Sequence, residues 1–243
     1  MKRVFHCKMP ARVGGWCLFA IAVWLAPLSV AHSQTLQDSL QAAIDAMEYH
    51  PDSVDLRLKK AAINMQMEQW QLAKDEYDIV LQQQPGHLAA LYFRAYANQQ
   101  LRRYQFARLD YEQLLRIVPA HFEARLGLAL LNQQMQRYTE AYDQLSLLIS
   151  QHPDSAVVYA ARADLEMQRE QYEPAEYDLT QALRLQPDQK DWLLARAQVR
   201  INMKHDDDAR EDLERLVALG TPRAALQSFY QQLSKKKKRR REY

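Results

Sequence analysis

The chain has few of the residues that punctuate irregular folds. Only 5 of its 243 residues are glycine and 2 are cysteine. So few glycines leave little material for tight hairpins or for turns that need a positive φ, which argues against a β-rich fold. Both cysteines, Cys7 and Cys17, lie close to the N-terminus. Beyond them the chain has no means of forming disulfides, thiol nucleophiles or thiolate metal ligands, so its stability must come from packing. Also absent are a glycine-rich phosphate loop, a His-Glu-x-x-His motif, a Gly-x-Ser-x-Gly motif and any Asn-x-Ser/Thr sequon. What the chain has in quantity is Ala, Leu, Gln, Glu and Arg, all favourable in helices. With 48% hydrophobic and 26% charged residues it is a foldable, all-α chain, and disordered or collagenous classes are excluded.

The totals of 32 basic and 30 acidic residues conceal three unlike parts. Residues 1–33 carry Lys2, Arg3, Lys8 and Arg12 and no acid; residues 235–241 are all basic; the body between them is acidic. In the first part the bases precede an apolar run, Trp16 to Ala26, then Pro27 and the small-residue stretch Ser29-Val30-Ala31-His32-Ser33. That order is the order of a cleavable secretory signal. The run is about half the ~20 residues needed to span a bilayer as a helix, which disfavours a retained anchor. Cleavage is expected after Ser33, leaving Gln34 as the mature N-terminus, with Ala31 as the alternative. Cys17 follows Gly14-Gly15-Trp16 rather than small and aliphatic residues, so a lipid-modified cysteine is not expected. The expected organisation is a signal over 1–33, a helical domain over 34–234 and a disordered basic tail over 235–243. The expected location is exported, periplasmic or else secreted.

Pro51, Pro85, Pro119, Pro153 and Pro187 are spaced 34 residues apart. The same interval relates Ala61, Ala95, Ala129, Ala163 and Ala197, and again Ala73, Ala107, Ala141, Ala175 and Ala209. An aromatic column, Trp70, Tyr104, Tyr138 and Tyr172, ends only at Asp206, and an aliphatic pair such as Val80-Leu81 or Leu114-Leu115 closes each unit. Such columns describe two antiparallel helices per unit: each alanine marks a close helix contact, the aromatic fills the turn and the proline ends the second helix. Ala73, Tyr77 and Pro85, and likewise Ala107, Tyr111 and Pro119, match the pattern of the tetratricopeptide repeat family, which residues 54–223 resemble as five full units. The resemblance implies a right-handed superhelical solenoid. Gln34 to Pro51 fits the second helix of a truncated first unit. Arg223 to Ser234, with Thr221 as N-cap and Pro222 at the first helical position, fits a capping helix that offers Leu226, Phe229, Tyr230 and Leu233 to the last repeat.

The family's usual leucine before the small residue is replaced by Lys60, Arg94, Leu128, Arg162 and Arg196. Sixteen residues later stand Glu76, Asp110, Gln144, Asp178 and Asp212, so acid accompanies base in four units and neither is charged in the third. This correlation predicts ion pairs between the two helices of a unit.

No catalytic constellation rises above background, so no enzyme and no cofactor are expected. His50 and His152 precede prolines, and His87 and His121 end equivalent connections; the latter two lack a third ligand, so no metal is expected. Asp206-Asp207-Asp208 opens a helix, where acids complement the helix dipole. A stack of helix pairs instead presents a long concave surface to another polypeptide. In the family the first helices line it. Here that stripe comprises Leu58, Met65, Tyr92, Phe93, Tyr96, Gln99, Leu126, Leu130, Gln133, Asp164, Met167 and Gln198, continued by Ala62, Ala160, Leu194 and Ile201. It is apolar and amide-rich, and lacks the Lys and Asn with which chaperone-binding members clamp a carboxylate. The expected partner is an extended or helical protein segment with apolar side chains, anchored on Tyr92, Phe93 and Tyr96. Replacing Tyr92 and Tyr96 by alanine is expected to abolish capture and spare stability. The expected role is an interaction scaffold or adaptor that takes no nucleic acid and no small-molecule substrate. The alternative is a peripheral envelope protein whose tail, Lys235, Lys236, Lys237, Lys238, Arg239, Arg240 and Arg241, holds it at an anionic membrane surface; a merely solubilising tail is also open.

Overall fold

The computed structural model describes the backbone from Ala26 to Arg239 and the side chains from Gln34 to Leu233. Within those bounds the secondary structure is helical throughout. Helix α1 (Ala26–Tyr49) is followed by five hairpins: α2 (Val54–Gln66) with α3 (Trp70–Gln83), α4 (Leu88–Gln100) with α5 (Tyr104–Ile117), α6 (Phe122–Gln134) with α7 (Tyr138–Gln151), α8 (Ala156–Gln168) with α9 (Tyr172–Leu185), and α10 (Lys190–Met203) with α11 (Asp206–Ala218). A 3-10 turn (Arg223–Leu226) leads into α12 (Gln227–Arg239). Each helix packs on its hairpin partner and on the next unit, which makes a solenoid.

The 34-residue columns explain the packing. All ten repeat alanines are 0% exposed, at the points where helices approach closest. The aromatic column opens each of the first four second helices, where Trp70 meets Tyr96 of the next unit edge-on at 5.9 Å. Each repeat proline stands just beyond the end of a helix, and where the residue before it caps that helix it has left the helical region, as at His152 (φ −135°, ψ 67°). The hairpin turns pass through the left-handed region at Glu68, Arg102, Gln136, Glu170 and Lys204, with φ of 58°, 58°, 60°, 58° and 67°. None of these is glycine, so each turn bears the cost of a side chain at positive φ.

Both ends differ in detail from the sequence expectation. Helix α1 packs on α2 through the buried Ala43, as a half repeat should, but its backbone begins ahead of Gln34, with Pro27 in the first turn where a missing N–H costs nothing. The signal expected over 1–33 otherwise lies outside the described residues up to residue 25. At the far end, Pro222 is extended (φ −61°, ψ 132°) and caps the 3-10 turn, so Thr221 is not an N-cap and Pro222 is not the first residue of a helix. Gly220, at φ 86°, reverses the chain there, and the tight turn swings Leu226 into the last repeat. Leu226 and Leu233 are buried against that repeat, with Phe229 and Tyr230 packed beside them. The tail expected to be disordered from residue 235 instead continues as helix through Arg239, as the good helix propensity of Lys and Arg allows. Residues 240–243 lie outside the described region.

Candidate functional site

The four expected ion pairs form, and each fixes the register of its unit. Arg94 meets Asp110 through Nε (2.9 Å) and Nη2 (2.5 Å), Arg162 meets Asp178 at 2.6 and 2.9 Å, Arg196 meets Asp212 at 3.1 and 2.7 Å, and Lys60 meets Glu76 at 2.7 Å. The third unit, lacking this pair, bonds Gln144 to Arg125 instead (2.7 Å). Each of the three arginines has a further partner, sixteen residues back on the second helix of the preceding unit: Nη1 of Arg94 on Asp78 (2.8 Å), of Arg162 on Ser146 (3.2 Å) and of Arg196 on Thr180 (3.1 Å). The planar guanidinium thus ties three successive helices, which a lysine ammonium cannot do with the same geometry. Burial raises the Asp110 carboxyl above the ordinary aspartate range, against the pull of Arg94.

With the units in register, the first helices lie side by side and their exposed registers form one face. Amides join them across units: Gln99 donates to Gln134 (2.9 Å), and Gln133 donates to Asp164 (2.6 Å), which also accepts from Gln168 (3.1 Å). Tyr92, Phe93 and Tyr96 stand together on α4. Phe93 is 40% exposed, stacks on Tyr77 (6.1 Å) and meets Tyr92 edge-on (5.2 Å). Tyr92 also packs on Tyr111 (5.9 Å) and His121 (6.2 Å). Both tyrosines are therefore half-buried structural contacts, so their double replacement by alanine would also cost stability, contrary to the sequence expectation. Phe93 is the most exposed of the three. One unit on, its register is held by Gly127, where a Cβ would stand 2.7 Å from the buried Tyr111 ring, and then by Ala161 and Ala195. This face thus passes from large aromatic side chains on α4 to glycine and alanine on α6, α8 and α10.

The remaining stripe residues divide by burial. Leu58, Met65, Leu126 and Met167 are half-buried against the repeat cores, and Leu130, Gln99 and Gln198 are half-exposed. Gln133 is buried, its amide committed to Asp164, and Ile201 is core; Asp164 is exposed.

A buried polar column went unnoticed in the sequence. Asn64, Asn98, Asn132 and Glu166 occupy the same register of successive first helices, all nearly inaccessible, and Arg200 follows them. Oδ1 of each asparagine and Oε2 of Glu166 take no hydrogen bond, whereas Arg200 pairs with Glu176 (2.6 Å) and Asp212 (3.0 Å). Burial, aided by the charge of Asp178 and opposed by Arg162, pushes the Glu166 carboxyl up to about 7. Its recurrence every 34 residues was the available signal; its polarity disguised it as a solvent face.

His87 and His121 are helix caps. Nδ1 of each accepts the backbone N–H three residues on, from Ala90 (3.2 Å) and Ala124 (3.3 Å). Asp206, Asp207 and Asp208 form the first turn of α11, and Asp207 pairs with Arg210 at 3.2 Å. Among the described residues no group of three or more His, Cys, Asp or Glu is placed to hold a metal ion, and no helix is long and apolar enough to cross a membrane.

Comparison with known proteins agrees with this architecture. A tetratricopeptide repeat family model matches residues 98–165. No curated protein sequence matches. Among solved structures, a tetratricopeptide repeat protein from Parabacteroides merdae is similar with a TM-score of 0.64 and 22% identity, over 84% of this chain and 80% of that one. PilW, a widely conserved type IV pilus biogenesis factor, is similar with a TM-score of 0.68 and 16% identity, over 79% and 90%. YrrB, a repeat protein with an unusual peptide-binding site, is similar with a TM-score of 0.57 and 13% identity, over 74% and 93%. At these identities the likeness shows the fold alone. With the family match over residues 98–165 and the same residue columns in all five units, the chain has the fold of the tetratricopeptide repeat proteins.

Proposed function

We propose that the protein is an adaptor that holds a segment of another polypeptide in the groove lined by α2, α4, α6, α8 and α10. The observation that carries this is the exposure of Phe93 among Tyr92 and Tyr96, directly beside a floor lowered to Gly127, Ala160 and Ala161. A large aromatic left open next to a shallow apolar surface gives a binding segment area to bury at small entropic cost. We further propose an exported location, supported by the order of basic, apolar and small residues over 1–33. The test is capture from an envelope extract by the wild-type protein and by Phe93→Asp, with circular dichroism as the control for folding. Loss of a specific band with unchanged helicity is the expected result. Equal capture by the two proteins refutes the groove.

A further inference from the structure

Granted a groove that holds another polypeptide, we infer that Asp164 selects the partner's chemistry: a segment with an apolar side chain for the α4 wall and a lysine or arginine for the Asp164 carboxylate. The other groove acids, Asp55, Glu123 and Asp191, sit in the first turns of their helices, where the dipole accounts for them. Asp164 lies deep in α8, far from the helix N-terminus, and makes no salt bridge with the described residues. It is nonetheless held in one orientation. Gln133 from α6 and Gln168 from α8 both donate to Oδ2, at 2.6 and 3.1 Å, and neither neutralises the charge. With both bonds on Oδ2, Oδ1 takes no hydrogen bond from the described residues, and the residue is exposed. One turn earlier on the same helix stand Ala160 and Ala161, with Gly127 beside them on α6, so a partner backbone can come down to the level of that carboxylate.

From α6 onward the groove registers carry only negative charge, at Glu123, Asp164 and Asp191. The bases Arg169 and Lys204 cap the C-terminal ends of α8 and α10, on one lip. A basic segment is therefore complementary to the floor, and an acidic one would place its charge over a fixed, unpaired carboxylate. Neighbouring packed helices lie about 8–10 Å apart, so α4 and α8 are separated by roughly 16–20 Å. An extended segment covers that in about five or six residues, which sets the spacing between the apolar anchor and the cation.

The experiment is selection of random 16-residue peptides displayed on phage against the purified protein, followed by fluorescence anisotropy of one enriched peptide with wild type, Asp164→Asn, Asp164→Lys and Phe93→Asp. Enrichment of an aromatic or aliphatic residue followed by Lys or Arg about five or six positions on, with about tenfold weaker binding to Asp164→Asn and a preference for Asp or Glu in selections on Asp164→Lys, supports the inference. Enrichment without a basic preference, or binding lost in Phe93→Asp and unchanged in Asp164→Asn, overturns the cation pairing and leaves the groove standing. Binding indifferent to both substitutions overturns the groove and the inference together.

Discussion

Glu166 offers the sharpest test of the packing described above. Its side chain is 2% exposed on α8, its Oε2 has no hydrogen-bond partner, and it occupies the register that three earlier units give to the neutral Asn64, Asn98 and Asn132. The charged groups facing it are Asp178 and Arg162; burial acts most strongly, Asp178 adds to it, Arg162 opposes it, and the carboxyl rises from 4.5 to about 7. In the unfolded chain the same group ionises near 4.5. Between those two values the folded state binds more protons than the unfolded state, so stability is lost as pH rises through this window and stays low above it. A rise of this size corresponds to roughly 3.5 kcal/mol at most, since each pKa unit is about 1.4 kcal/mol, and just under ~1 kcal/mol of it is already lost by pH 5, above the unfolded value. Glu166→Gln removes the charge and keeps the shape. Urea denaturation of both proteins from pH 5 to 8.5 should show their difference growing by about 2 to 3 kcal/mol in favour of the variant, while titrations common to both cancel. Parallel profiles across this range would refute the reasoning and return Glu166 to an ordinary carboxylate.

Removing Arg162 alone, as Arg162→Leu, leaves the 1% exposed Asp178 uncompensated and should cost about 3 to 5 kcal/mol, whereas the double variant Arg162→Leu/Asp178→Gln, the pair the third unit already uses, should recover most of it in the same denaturation assay. Gly127→Ala should destabilise by about 1 to 3 kcal/mol despite alanine's better helix propensity, because the new Cβ meets the buried Tyr111 ring at 2.7 Å; adding Tyr111→Leu recreates the combination of Leu145 with Ala161 and should raise the melting temperature again. Gln136→Gly, at a turn with φ 60°, should stabilise by about 0.5 to 1 kcal/mol, the relief of positive-φ strain exceeding the added chain entropy, as read by the denaturation midpoint.

The repeat length, the alanine contacts and the ion pairs were legible in the sequence because each recurs at a fixed interval and each has one physical use. The second bond of each arginine was not, since Asp78, Ser146 and Thr180 share a position but no residue type. The left-handed turns gave no signal, because the residue that normally marks them, glycine, is replaced by Glu68, Arg102, Gln136, Glu170 and Lys204. Histidine is an uncommon helix cap, so the place of His87 and His121 at equivalent connections did not reveal that their Nδ1 atoms accept backbone N–H groups. In the groove, the stripe was legible as helical spacing, but which members stay exposed depends on neighbouring units. Gln133 and Ile201 are covered, Phe93 is not, and the contrast between the α4 wall and the Gly127 floor appears only when successive units are laid side by side.

The central claim is that the first-helix face is the one occupied by another polypeptide. A photo-crosslinking amino acid placed at position 93, and in separate proteins at Tyr177 or Leu147 on the second helices, reports this directly in intact cells. Tyr177 and Leu147 are exposed as well, so accessibility alone does not favour position 93. A discrete higher-mass adduct from position 93 and none from 147 or 177 is the predicted result. Adducts from the second-helix positions with none from position 93 would contradict it.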